Sequence, residues 1–188
     1  RGEFIGVYAP YGYSKSDDDR HKLVPNPEIA PIIREIFTLR LQGLGYTGIA
    51  RLLNGRGVPS PGAYLYQCGI SKQEKYRDAI WAAWNIKEIL RDEVYLGHLI
   101  QGKRTNVAYK QARKERSAPS DEWRVFRNSH EPLIDEDTFA AAQRITAENR
   151  RTYEESLGKA DDLKIPSLFR GRVFCGDCGK ALVRRHVY

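Results

Sequence analysis

The sequence has no methionine and only three cysteines in 188 residues. So few cysteines in a chain this long make no disulfide scaffold, and a reducing, cytoplasmic compartment is the default expectation. No stretch approaches the roughly 18 consecutive apolar residues that span a bilayer, and no signal-peptide pattern opens the chain, so no membrane partner is expected. No glycine loop of the phosphate-cradling kind occurs. The four histidines, His21, His98, His130 and His186, fall at no metal-ligand or triad spacing, and His130-Glu131 before Pro132 reads as a turn. Asp17-Asp18-Asp19 lacks the glycine and distal glutamate of a calcium loop. No flanking pattern nominates a serine nucleophile. Neither a small-molecule substrate nor a catalytic residue is therefore expected. A chain that opens on Arg1 without methionine is expected to be a piece of a longer protein, with any chemistry outside it.

Charge and apolar content define the positive side. Lys and Arg number 31 against 24 Asp and Glu, a surplus of +7, with a pI near 9.3. That balance favours a polyanionic partner without specifying a fold. Hydrophobic residues make up 41% of the chain, enough for a core in one domain with a small appendage.

Read along the chain, Phe4 to Pro25 mixes aromatics with turn formers and predicts an extended arm or short strand, then an exposed turn. A first helix is predicted from Asn26, a good N-cap, with Pro27 at its first position and Gly43 as its stop. Ile29, Ile32, Ile33, Ile36, Phe37 and Leu41 form its apolar stripe. A short second helix follows, capped by Thr47, with Ile49, Leu52 and Leu53 inward and Asn54-Gly55-Arg56-Gly57 ending it. Two short amphipathic helices across a tight turn begin a helix-turn-helix unit. Gly62 to Asp78 shows no period and reads as a long loop. A third helix is predicted over Ala83–Arg91, with Ile86, Ile89 and Leu90 inward. Val94–Ile100 and Glu122–Phe126 read as paired strands. A fourth helix, capped by Asp135, is expected to fade into a polar linker from Glu148. The fold class expected is α+β and mainly α: a helix-turn-helix-like bundle, a β-hairpin and a long C-terminal helix, followed by a compositionally distinct terminal segment.

Three places carry binding chemistry. Between the predicted strands, Lys103, Arg104, Lys110, Arg113, Lys114 and Arg116 face a single acid, Glu115. Such a run is often a solvated loop, but clustered cations beside a helix-turn-helix are what phosphate contacts require. The third helix offers Trp84, Asn85, Lys87 and Arg91 on its outward face, where a reading helix presents side chains to the major groove. Asn85 suits adenine, Arg91 and Lys87 suit guanine or phosphate, and Trp84 suits a thymine methyl or the sugar. Trp81 reads as core. Thr47, Arg51 and Arg56 of the second helix, and Tyr11 and Tyr13 of the arm, complete the candidate double-stranded DNA contacts. Thirdly, Cys175-Gly176-Asp177-Cys178-Gly179 has the spacing of a zinc knuckle. One knuckle supplies half of a tetrahedral site; His186 is the sole candidate after it and Cys68 lies in a distant loop, so the remaining ligands are expected beyond Tyr188.

Several phrases together resemble the central recombinase domain of the large serine recombinases. They are Ala9-Pro10-Tyr11-Gly12-Tyr13, Asn26-Pro27-Glu28, Ile36-Phe37 with Gly43, and Ile49-Ala50-Arg51-Leu52-Leu53-Asn54 with Gly57-Val58-Pro59. Trp81 with Ile86, Ile89-Leu90, Tyr95 and Gly97 fits as well, as do His130-Glu131-Pro132-Leu133-Ile134 with Phe139 and the closing Leu168-Phe169 to Cys178-Gly179. Asp92, where the family often has Asn, and Ala82-Ala83, where Ser or Thr is usual, depart from the pattern and imply a weaker cap on the third helix.

The resemblance implies a division into 1–160, a DNA-binding recombinase domain, and 161–188, a linker with the start of a zinc ribbon. It further implies a bacterial, phage or mobile-element protein whose catalytic serine lies in a separate N-terminal domain, through which the parent self-associates. Zinc is then a cofactor of the parent, and attachment-site DNA the partner of this chain. A stand-alone helix-turn-helix regulator and a protein–protein module remain the alternatives.

Overall fold

A computed structural model of the chain describes residues 2–106, 115–162, 172–176 and 178–180. It divides into two compact units, Arg1–Thr146 and Ala147–Tyr188. No helix among the described residues is long and apolar enough to cross a membrane.

The first unit opens with a hairpin. Strand β1 (Tyr13–Lys15) pairs antiparallel with β2 (Leu23–Pro25), placing Tyr13 opposite Pro25 and Lys15 opposite Leu23. The expected short strand and exposed turn both form, but Tyr11 and Tyr13, expected among the DNA contacts, are core residues. Gly12, at φ +100°, brings the backbone down onto Ile33 and Leu133; a Cβ there would lie 2.7 Å from Ile33 Cγ1. A phenol ring can be buried if its hydroxyl finds a partner. Tyr11 donates to the Pro59 carbonyl at 2.8 Å and Tyr13 to the Glu131 carbonyl at 2.9 Å. Burial accordingly pushes both hydroxyl pKa values well above the ordinary tyrosine range.

Helix α1 (Ala30–Leu41) starts later than the Asn26 signal implied. The Asn26 side chain instead caps a preceding turn, accepting from the Glu28 and Ile29 N–H groups at 3.0 and 3.3 Å. Pro31 then sits in the first turn, where a missing N–H costs nothing. Ile29, Ile33, Ile36 and Phe37 are buried as the stripe required, whereas Leu41 remains exposed at the helix end. Gly43, at φ +91°, stops the helix. Arg40 is buried near it, donating to the Leu44 carbonyl at 3.1 Å and to Thr146 Oγ1 at 3.3 Å, its guanidinium over the Tyr46 ring.

Helix α2 (Tyr46–Gly55) is entered through Gly45; Thr47 lies inside the first turn, exposed, and is not the cap. The expected long loop contains helix α3 (Pro61–Gln67) and a 3-10 turn at Glu74–Tyr76. Its start signal is legible in retrospect: Ser60 Oγ accepts the Ala63 N–H at 3.3 Å and Pro61 occupies the first turn. Helix α4 (Ala83–Arg91) has the expected bounds and packs on α1 and α2. The connection from α2 to α4, residues 56–82, is far longer than the turn of an ordinary helix-turn-helix.

The predicted Val94–Ile100 strand is corrected in its first half. Asp92 Oδ1 accepts the Val94 N–H at 3.3 Å, nucleating a 3-10 turn at Glu93–Leu96 that Gly97 ends at φ +80°. Strand β3 (Leu99–Gln101) follows, with β4 (Arg104–Asn106) and β5 (Glu115–Ser117) paired in the basic connection, and β6 (Arg124–Phe126) returning against β3. Helix α5 (Glu136–Asp162) has the cap expected: Asp135 accepts from the Thr138 N–H at 2.8 Å and the Thr138 hydroxyl at 2.7 Å.

Polar residues from Glu148 do not end α5 as expected. Within the second unit, residues 147–156 are exposed along a continuing helix. Ion pairs at helical spacing, Arg150–Glu154 at 2.7 Å and Arg151–Glu155 at 3.5 Å, suit a solvated helix without a buried face.

Candidate nucleic-acid interface

Helix α4 separates its residues sharply. Ile86, Ile89 and Leu90 are buried, while Trp84, Lys87, Glu88 and Arg91, at steps of three and four, form one outward stripe. Asn54 holds the approach to this helix: its Nδ2 donates to the Trp81 carbonyl at 2.9 Å and its Oδ1 accepts the Trp81 N–H at 2.8 Å. Trp81 is core as expected, 2% exposed, with its indole N–H donating to the Val58 carbonyl at 3.0 Å. Nothing in the sequence alone singled out Asn54 as this clamp.

The candidate contacts fall into distinct settings. Asn85 is half-buried, and its Oδ1 accepts the Ala82 N–H at 2.9 Å. This is the reverse half of a capping box, from the third helical residue back to the N-cap N–H; alanine at position 82 offers no reciprocal acceptor, and the oxygen suited to adenine is already engaged. Arg91 pairs with Glu88 at 3.2 Å. Arg56 pairs with Glu35, bridging the end of α2 to α1. Arg51 and Lys87 are exposed and make no ion pair among the described residues. Since α2 packs on α4, these two cations stand on adjoining elements. Lys103 is drawn toward the protein, 3.7 Å from Asp92 Oδ1 and 5.7 Å from the Trp123 ring centre. For Arg104 and Arg116 the structure describes strand backbone only, Arg104 opposite Ser117 and Thr105 opposite Arg116. Lys110, Arg113 and Lys114 lie outside the described residues, as does His186.

A titratable group away from the stripe serves the frame. His130 is held by Ser129 Oγ at 2.8 Å and by the Val94 carbonyl at 2.7 Å, and burial lowers its pKa. A cleft of about 600 Å³ runs between the first hairpin and α3, walled by Tyr8, Tyr11, Tyr64 and Ile70 with Lys15 and Arg20 among its lining. In the second unit, the Cys175 carbonyl accepts the Gly179 N–H at 2.9 Å and the Cys175 N–H donates to the Lys180 carbonyl at 2.8 Å. These bonds close a tight turn around the Cys175/Cys178 pair. Among the described residues no group of three or more metal-ligating side chains assembles.

A family model described as Recombinase matches residues 27–149. The chain belongs to the Recombinase family. Membership bears out the resemblance carried by the phrases from Pro27 to Phe139, and the match spans α1 through the first half of α5. Two solved structures are similar at low identity. One is a crystal structure of an LSR–DNA complex, 19% identical, TM-score 0.46, covering 90% of this chain and 40% of that one. The other comes from work on the sequence requirements of the Listeria innocua prophage attP site, 19% identical, TM-score 0.48, covering 95% and 57%. This chain thus spans only about two to three fifths of the length of those proteins.

Proposed function

We propose that this Recombinase-family chain binds duplex DNA as the recognition part of a site-specific serine recombinase, engaging half of an attachment site. The observation that carries this reading is the outward stripe of α4. A helix held at its base by the Asn54–Trp81 clamp presents Trp84 and Lys87 to solvent, and neighbouring α2 presents Arg51. In this reading α2 and α4 act as the helix pair of a helix-turn-helix, α4 entering the major groove despite the long connection. Unpaired cations flanking a protruding reading helix neutralise phosphates and fix its register, while the stripe faces base edges. The basic β4–β5 connection adds phosphate contacts. Residues 1–160 form the DNA-binding domain and 161–188 the linker and start of a zinc ribbon.

Zinc fits that last segment in part. Cys175 and Cys178 on a closed turn offer two thiolates, half of a tetrahedral set, and a bound ion there would order the turn without taking part in strand exchange. Strand cleavage and self-association belong, on the same reading, to a catalytic domain separate from this chain, in a cytoplasmic protein of a mobile element.

The test is selection from a random-sequence duplex pool with the 188-residue chain, followed by fluorescence anisotropy across a salt series. Enrichment of a shared sequence, with affinity falling steeply as salt rises, is the expected result. Equal binding to the starting and selected pools would remove sequence-specific recognition. Absence of any salt-sensitive binding would leave a protein–protein role, for which exposed Ile5, Val7 and Ile70 offer a surface.

A further inference from the structure

The three tryptophans have different fates. Trp81 is buried and hydrogen-bonded, and Trp123 donates its indole N–H to the Ala118 carbonyl at 3.0 Å. Trp84 is 66% exposed and makes no hydrogen bond or ring contact among the described residues. Just before the clamp, Ile80 is 72% exposed. Two large apolar side chains thus flank a fully anchored Trp81, on backbone that Asn54 holds from both sides. Neither side chain closes the core, and an exposed indole gives the isolated protein little. Because the backbone is already fixed, burying these groups against a partner loses little backbone freedom.

The surroundings indicate the partner's chemistry. Trp84 opens the outward stripe of α4, and Lys87 and Arg91 follow it one and two turns later. Any surface that meets Trp84 therefore also meets Lys87, which makes no ion pair among the described residues, and Arg91, which is paired with Glu88. The stripe carries one more cation than anion, so the surface is anionic with apolar points at the depth of the reading edge. In the major groove one base-edge group is apolar, the C5-methyl of thymine. We infer that Ile80 and Trp84 form an apolar reading edge for thymine methyl groups, making part of the sequence preference independent of hydrogen bonds. The inference rests on the duplex-DNA reading above and specifies how that interface discriminates.

The methyl can be removed alone. A duplex pool selected by the wild-type chain is re-amplified with deoxyuridine in place of thymidine, and both forms are measured by anisotropy with wild type and with Trp84→Ala. Wild type should bind the deoxyuridine pool more weakly, by roughly four-fold for each contacted methyl, the equivalent of one buried carbon. Trp84→Ala should bind the thymidine pool more weakly yet treat the two pools nearly alike, so that any effect of deoxyuridine on duplex flexibility cancels between the proteins. Ile80→Ala should narrow the same ratio. Sequence-specific binding by wild type with equal affinity for both pools overturns the inference while leaving the DNA reading intact. A ratio unchanged by Trp84→Ala also overturns it, as does a change in oligomeric state on that substitution without thymine sensitivity. Failure of wild type to bind either pool overturns the DNA reading itself. Trp84 lies outside the core, and a thermal melt matching wild type shows that the variant is folded.

Discussion

Gly97 makes the sharpest stability test, because two separate costs meet at one residue. It sits at φ +80° and ψ 16° at the end of the 3-10 turn, and its carbonyl accepts the Ser129 N–H at 2.8 Å. A Cβ added here would lie 2.5 Å from the His130 carbonyl oxygen, a backbone atom that no rotamer change can move. Left-handed backbone costs a non-glycine residue about 1–2 kcal/mol. Relieving the contact means displacing the 128–130 turn and loosening the Ser129 bond, worth about 1 kcal/mol, plus local overpacking of about 1–2 kcal/mol. Gly97→Ala should therefore destabilise the first unit by about 3–5 kcal/mol, read as a lower urea midpoint with an unchanged slope. Gly97→Asn separates the terms: asparagine tolerates the left-handed region but carries the same Cβ, so most of the loss should remain. Gly48→Ala is the control. Gly48 is inside α2 without positive φ, and a Cβ there meets nothing within 4 Å. The same change should stabilise by about 0.5–1 kcal/mol through helix propensity. A Gly97→Ala protein within about 1 kcal/mol of wild type would refute the reasoning, since the backbone strain alone is about 1–2 kcal/mol and the Cβ contact adds to it.

Three other outcomes follow from the structure. Tyr13→Phe should cost about 1–2 kcal/mol in a urea melt by leaving the Glu131 carbonyl without its donor, while DNA affinity at matched folded fraction stays unchanged; a selective loss of DNA binding would return this residue to the interface. Lys87→Ala and Arg51→Ala should each weaken binding to all sequences alike and reduce the slope of log K against log salt by about 0.9 in magnitude, measured by anisotropy, if each neutralises one phosphate. His130 is held neutral by burial with its pKa below the ordinary 6.5, so its stabilisation is complete above that value and is lost as pH falls through the lowered one; His130→Gln should flatten the fall in thermal midpoint on acidification, and an unchanged pH profile would exclude this residue as its source.

Much of the architecture was legible because it depends on local pattern. The apolar steps in α1, α2 and α4 assigned their buried faces, Asp135 marked the start of α5, and Gly43 the end of α1. Recombinase-family membership could be read from phrases dispersed through the chain, since each preserves a turn or a packing position. The misreadings share a cause: several local signals compete over the same residues, and apolar periodicity alone does not rank them. Asn26 is a strong cap signal, yet it closes a turn before α1. Polar residues after Glu148 looked like a linker, yet their charges pair at helical spacing and sustain α5. Ser60-Pro61 carried a start signal for α3 that the lack of a hydrophobic period concealed.

By itself, the sequence determined the helical faces, the basic surplus and the family, because periodicity, charge and ordered motifs survive without coordinates. Only the tertiary structure decided which side chains of one type are frame and which are free to meet a partner. Tyr11 and Tyr13 joined the core because Gly12 lets the chain descend and remote carbonyls accept their hydroxyls. Asn85 was engaged by the Ala82 N–H, and Arg56 and Arg91 were matched with nearby glutamates. Trp84, three residues from buried Trp81, was left exposed because only one side of α4 faces α1 and α2. Burial and pairing depend on contacts made across the fold, and those contacts anchor Trp81 in the frame, as the sequence predicts, while leaving Trp84 open to a partner.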